Sequence, residues 1–506
     1  MTASTGELLA MRLGHPDRVA FVEGATGLAL SWDGVGALVE RWQSIPSTTR
    51  SGGCRVGLHL ADPLAMAAHY LAALAAGVTV APLNPAGTAG ELVVQGVATG
   101  LSGAVTDSDD PEIRDALAGA GIEPLSADAP SWDLPARSWR LARRPGTGPA
   151  ALVMTSSGTT GAPKIIPLTE VQLLHTARAV AGHLDLGPEE RGYSPLPLFH
   201  INGLVVGVLA ALVAGSSLVV DRRFSRSSFW SVVERERVTW LNLVPAIITL
   251  LAGAGAGDRP APGAERVRLA RSASAPLAAA TRERFEVRFG VPVVETYGMT
   301  EAASQITANP VGAPRPGSVG VPVDVDVRVV DGARRAVGPG NTGGVEIRGT
   351  SVTTTYWAPG GSDAPVPRMA TAGGWLPTGD IGRLDADGYL YLVGRADDVI
   401  NRGGEKVQPR EIEEVLLADA RVSAAVVVGR PHPTVGEEPV AYVLADAGVA
   451  GRQRLAAELA RRCETALSRF KRPAEIIVAD TLPAGPTGKV RRSEIRRMAA
   501  SADVAS

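Results

Sequence analysis

The segment ALVMTSSGTTGAPKIIPLT, Ala151 to Thr169, concentrates groups that handle phosphate. An apolar run ends at Met154, and Thr155, Ser156, Ser157, Gly158, Thr159, Thr160, Gly161 and then Lys164 follow. Glycines free backbone amides to face a ligand and the hydroxyls add donors. Such a loop can surround phosphate oxygens while the lysine brings a mobile positive charge. The order G-T-T-G-A-P-K-I departs from the Walker pattern G-x-x-x-x-G-K-[ST]. Ile165 to Pro167 reads as extended chain, and a helix starts only at Thr169, with Gln172 completing a capping box. The loop is therefore expected to join two strands, with no helix N-terminus aimed directly at the phosphate.

The elements that must position this loop read as α/β. Arg55 to Leu60 is a predicted strand, Ala65 to Ala76 a helix ended by Gly77, and Val78 to Pro82 another strand. Similar spacing recurs through Leu204–Val220, Trp240–Leu251 and Val291–Glu295. Residues 104 to 148 show little periodicity and read as irregular connection. Gly203 to Val220 is about long enough to span a bilayer. Its glycines and the charges that follow favour a buried helix ending near Gly215 and a strand from Ser217. Asp387–Gly388 reads as the turn of a hairpin and not as part of a calcium loop, because the later ligands are missing.

The 506 residues exceed one ordinary core, and a composition shift marks a second unit. Residues 395–506 hold eighteen basic and sixteen acidic side chains among 112, against 68 charged in the preceding 394. The division expected is 1–394 and 395–506. A net charge of −2 excludes a chain built mainly to grip nucleic acid. Two cysteines far apart, Cys54 and Cys463, offer neither a disulfide framework nor a cysteine-rich metal site. With no export signal at the start and no membrane span, a cytoplasmic setting is expected.

The loop, together with PLPLFHINGL (Pro195 to Leu204), VVETYGMTEAAS (Val293 to Ser304), GWLPTGDIGRLDADGYLYLVGRADDVINRGGEKVQPREIEE (Gly374 to Glu414) and LPAGPTGKVRRSEI (Leu482 to Ile495), resembles the adenylate-forming superfamily. That superfamily comprises acyl-CoA synthetases, luciferases and nonribosomal adenylation domains, and the resemblance covers essentially the whole chain. Departures are Ile165, in place of the glycine usual after the loop lysine, and Asn202 where histidine is common. The first bears on how freely the loop hinges. The resemblance implies a large N-terminal α/β domain of layered subdomains and a small, mobile α+β lid.

It also implies attack of a substrate oxyanion on the α-phosphate of ATP, releasing pyrophosphate and leaving a mixed anhydride with AMP. Both reactants are anions, so such a site must screen charge and align them. Glu301 resembles the family's Mg2+ ligand, Thr300 would hydrogen-bond the α-phosphate, and Tyr297, within Thr296–Met299, would stack on adenine. Asp380 would accept from the ribose hydroxyls with Arg395 assisting, and Asp397 matches the hinge. Lys489 would reach from the lid to bridge carboxylate and phosphate, a task suited to a compact charge on a long stem. Gly403 and Gly404 would let a pantetheine arm approach closely, so CoA is the implied acceptor. Pro409 opens a helix with Ile412, Val415 and Leu416 as its buried stripe. The FKRP segment, Phe470 to Pro473, is set either to meet a nucleotide phosphate or to form a salt-bridged turn.

His200, Asn202, Ser272, Ser274, Met299 and Arg223 are the acid-pocket candidates. RSASAPLA, RRFSRSSFW and PGSVGVPV look like the oxalate-activating branch, and Leu250 stands where malonate-activating relatives often carry arginine. The leading reading is a CoA ligase for a small polar or aryl acid. The alternatives are adenylation with transfer to an amine, including nitrite activation, and a non-catalytic nucleotide-binding protein. The resemblance also leaves room for a homodimer.

Overall fold

A computed structural model describes residues 3–15, 17–44, 54–128, 150–156, 164–253, 261–360, 365–367, 373–445, 448–483 and 490–502. Runs rich in Val, Leu and Ala form two large sheets. In one, six strands lie side by side and parallel: Val293–Tyr297, Leu269–Ser272, Trp240–Leu243, Arg191–Ser194, Ser217–Val220 and Val19–Glu23. Strands covered on both faces need near-continuous apolar sequence. Trp240, Leu241, Leu243, Leu218 and Val219 are accordingly fully buried.

The second sheet has eight strands, with Ala150–Ser156 and Lys164–Thr169 paired antiparallel near one edge. The helices Pro63–Ala75 and Glu170–His183 bury their apolar faces in a core shared by both sheets. Asp62 caps the first ahead of Pro63, and Thr169 with Gln172 closes the predicted capping box on the second. Residues 104 to 128 correct the sequence reading. The strands Gly103–Thr106 and Glu123–Ser126 flank a helix, Pro111–Gly119, and extend this sheet. Four-residue strands are too short to show a period, although Asp110 and Pro111 form an ordinary helix start. Residues 129–149 lie outside the described set.

The apolar stretch after His200 ends as expected at Gly215 (φ +70°), before the strand Ser217–Val220. Its first half, Asn202–Leu209, is a π-helix that continues into the α-helix Ala210–Ala214. No helix among the described residues is long and apolar enough to cross a membrane.

An antiparallel sheet carries the hairpin Leu376–Leu384 and Leu390–Arg395. Its Asp385 accepts from the amides of Asp387 and Tyr389, and Arg315 pairs with Asp385 and Asp387. These carboxylates therefore hold a turn. Beyond the short 3-10 segment Ala396–Asp398, a further five-stranded sheet begins at Ile400–Arg402. It packs helices Pro409–Leu417 and Gly448–Ala466 over a core of its own, with Ile412 and Leu416 fully buried and Val415 partly so. Cys54 and Cys463 are buried free thiols, each pushed up to about 11 by burial.

Candidate functional site

Parallel α/β sheets bind ligands beyond the carboxyl ends of their strands. Ser194, Leu243, Ser272 and Tyr297 end four neighbouring strands at one such edge. From the last, the chain runs into the 3-10 turn Thr300–Ala302. Ala303 (φ +52°) and Ser304 (φ +106°) then both take left-handed backbone, which side chains other than glycine seldom adopt. Gly298 permits this fold-back, since a Cβ there would sit 1.4 Å from the Ser304 carbonyl oxygen.

The segment Tyr297–Glu301 reaches two groups of partners. On one side the Tyr297 hydroxyl donates to Asp380 Oδ2, and Asp380 faces Arg395 across the hairpin with an N–O distance of 3.7 Å. Burial, and then the Asp380 charge, raise the Tyr297 phenol, so it stays protonated. On the other side the Tyr356 hydroxyl donates to Glu301 Oε1, and Lys164 Nζ lies 5.9 Å from the Tyr356 ring centre. Glu301 is 7% exposed and has no ion-pair partner among the described residues. A buried carboxylate with only a hydroxyl donor suits a hard cation, so Glu301 fits a magnesium ligand. No cluster of three or more His, Cys, Asp or Glu side chains that could hold a metal is found among the described residues.

Ser156 and Lys164 are paired across the predicted two-strand junction. Ser157, Gly158, Thr159, Thr160 and Gly161, between them, lie outside the described residues, as does Lys489. Thr155 Oγ1 accepts from Gln95 Nε2 at 3.1 Å, and the Thr296 hydroxyl donates to the Ser272 carbonyl at 3.2 Å. Thr296 thus ties two strands together. Thr300 is half-buried, and Met299 packs beside Ala302 and Ile306.

Gly403 (φ +62°) and Gly404 (φ +92°) form the two-residue turn between Ile400–Arg402 and Glu405–Val407. A type I′ turn needs positive φ at both central positions. No atom lies within 4 Å of where a Gly404 side chain would start, leaving the backbone open to a close ligand. Asp397 is exposed, within the segment that links the hairpin to the C-terminal sheet. In FKRP, Lys471 pairs with Glu411 at 2.7 Å and Arg472 donates to the carbonyls of Leu467 and Glu464. These contacts favour the salt-bridged turn.

Among the acid-pocket candidates, Asn202 meets the strand ends through Asn242 and Arg271, whereas Arg223 and Ser274 are exposed. Burial pushes His200 down to about 4, so its imidazole is neutral at pH 7, and its Nε2 is buried without a partner. Ser272 is 2% exposed, and its hydroxyl is likewise unpartnered. Leu250 is 46% exposed.

Sequence reasoning missed a polar row on the same edge. Asn242 and Arg271 are adjacent in register, fully buried and 1% exposed respectively. Arg271 donates to Asn242 Oδ1 (3.1 Å), Asn202 Oδ1 (3.3 Å) and Gln305 Oε1 (3.3 Å). Asn242 donates to Ser194 Oγ (3.1 Å) and Asn202 Oδ1 (3.2 Å). The available signal was polar side chains inside the apolar strands WLNL and LARS.

Glu295, on the strand leading to Tyr297, is 6% exposed and raised to about 7, chiefly by burial; Arg282 and Arg410 oppose the shift. Its folded state therefore holds a proton that the unfolded chain releases near 4.5. The associated stability is full below 4.5 and is lost as pH rises through about 7. Glu295→Gln should flatten this fall, gaining on the order of 2–3 kcal/mol over wild type between pH 5 and 8. Urea unfolding at both pH values checks it, and a difference between the proteins that ignores pH would refute it.

Comparison with known proteins identifies the family. The family model described as AMP-binding enzyme matches residues 14–357, and that described as AMP-binding enzyme C-terminal domain matches 411–489. The chain is 38% identical over 506 residues to a sulfoacetate–CoA ligase of Cupriavidus necator, covering 96% of each. It is 34% identical over 444 residues to an oxalate–CoA ligase of Arabidopsis thaliana, covering 84% of each. The solved structure of ATP-bound MatB from Rhodopseudomonas palustris superposes with a TM-score of 0.83 at 28% identity, covering 98% of this chain and 99% of that one.

Proposed function

The chain belongs to the AMP-binding enzyme family of ATP-dependent, AMP-forming acid–CoA ligases, which use ATP, Mg2+ and CoA, and on that premise we propose that it activates a small polar acid. The acid's carboxylate attacks the α-phosphate of ATP, pyrophosphate leaves, and the acyl-AMP passes its acyl group to the CoA thiol. One observation carries this reading: the five-residue segment Tyr297–Glu301 joins the Asp380–Arg395 pair to the Tyr356–Lys164 pair.

In this reading Asp380 accepts from the ribose hydroxyls with Arg395 beside it, and Tyr297 lines the adenine. Lys164 and the hydroxyl loop hold phosphate oxygens, and Thr300 donates to the α-phosphate. Magnesium, when bound through Glu301, supplies charge neutralisation at the phosphates. Residues 395–506 act as a lid that turns at Asp397 between half-reactions, so that Lys489 serves the first and the Gly403–Gly404 turn the second. Separate hydrophobic clusters on either side of Ala396–Asp398 support that division. The named substrates of the two ligases, sulfoacetate and oxalate, are small and polar, which supports the acid class. Supply of ATP and CoA fits a cytoplasmic setting.

The test is pyrophosphate release over a panel of acids and nitrite, with and without CoA or an amine. We expect turnover with a small polar acid and an acyl-CoA product. Acid-dependent turnover that ignores CoA and yields an amide would overturn the acceptor, and nitrite-dependent turnover would favour diazotisation.

A further inference from the structure

Arg271 is a buried cation without an anion. Its guanidinium, 1% exposed, has no carboxylate partner among the described residues. Its hydrogen bonds go only to three neutral amide oxygens, those of Asn202, Asn242 and Gln305. Neutral dipoles do not neutralise a buried charge, and proteins usually pair such groups or leave them out of the core. Burial lowers Arg271 only to about 9, which leaves it protonated at pH 7.

The groups around it share one unmet demand. Arg271 Nε, Asn202 Nδ2 and Gln305 Nε2 are all buried and have no partner among the described residues. Because the oxygens of both amides already accept from Arg271, these three unmet atoms are all donors. A native cluster left with spare donors and a spare positive charge fits an anion with several acceptor oxygens. Its position is equally specific. Arg271 immediately precedes Ser272 at the carboxyl end of its strand. Asn202 follows His200 by two residues, and Gln305 follows Glu301 by four. The cluster therefore adjoins the acid-pocket candidates, with Gln305 on the chain just beyond the turn that carries Glu301.

We propose that Arg271, with Asn202 and Gln305, binds a second acidic group on the substrate, so that the acid activated is a small dianion: one carboxylate attacks ATP and the other acidic group is held at Arg271. This rests on the ligase reading above and names its substrate class. Asn242 acts as a positioning residue, fixing Asn202 and Arg271 from the neighbouring strand.

The experiment compares matched acids on the full-length enzyme with CoA present: malonate against propionate, and oxalate and sulfoacetate against acetate. Wild type should favour at least one dianion over its matched monoacid by about a hundredfold in kcat/KM, and Arg271→Met should abolish that preference. Comparable wild-type use of propionate and malonate, and of acetate and the other two, would overturn the proposal while leaving the ligase reading intact. So would an Arg271→Met enzyme that still discriminates. No acyl-CoA from any acid would instead bring down the ligase reading. Should Arg271→Met fail to fold, the wild-type panel decides alone. Gln305→Leu supplies a second variant, expected to raise the KM for the dianion more than it lowers kcat.

Discussion

Lys489→Ala is expected to lower acid-dependent pyrophosphate release by about a thousandfold, with the unfolding temperature unchanged. Carboxylate and triphosphate repel each other, and the transition state brings their oxygens together. A compact ammonium placed between them is worth most there, where water has been excluded. The described residues on either side of Lys489 are tied together, since the Arg491 amide donates to the Pro483 carbonyl at 2.8 Å. Removing the side chain therefore leaves the backbone closure in place. The loss should appear in pyrophosphate release and not in thioester formation from acyl-AMP supplied ready-made, because the proposed scheme gives the lysine to the first half-reaction. Pyrophosphate release at the wild-type rate would remove Lys489 from the mechanism.

Glu301→Gln should cost about a hundredfold in kcat and move the magnesium requirement to higher concentration. The substitution is chosen because an amide oxygen can still accept from the Tyr356 hydroxyl, which keeps the local packing. What it removes is the negative charge on a side chain only 7% exposed. A hard divalent cation binds carboxylate far better than amide oxygen, so affinity should fall while the KM for the acid changes little. Titrating MgCl2 at saturating ATP and acid checks this. An unaltered magnesium curve with reduced kcat would instead assign Glu301 to holding Tyr356 in place.

The two-strand junction at the phosphate loop, the capping box at Thr169 and the hairpin turn at Asp387–Gly388 were readable because each depends on neighbours in sequence. The Tyr297–Glu301 motif was readable for the same reason, and the resemblance supplied its roles. Arg271 escaped notice because its meaning lies in its surroundings. Asn202, Asn242, Arg271 and Gln305 come from four separate segments. The sheet order brings them together, with Asn242 and Arg271 adjacent in parallel register. Arg223 and Ser274 stand apart from this buried cluster for the converse reason. Their sequence neighbours belong to the site, but their own backbone turns them toward solvent, and Ser274 does so at φ +75°.

The π-helix at Asn202–Leu209 bears on how this enzyme can diverge. A backbone bonded i to i+5 holds about one more residue per turn than an α-helix. Losing a residue downstream, between Gly203 and Leu209, would relax the stretch toward α geometry. Asn202 and His200 would then turn by about 100° about the helix axis relative to the strands. One codon's deletion would thereby withdraw the amide that bridges Asn242 and Arg271 without changing Asn202 itself. On the proposed reading, length variation in this buried helix would change the acid accepted while the residues assigned to the nucleotide keep their sequence.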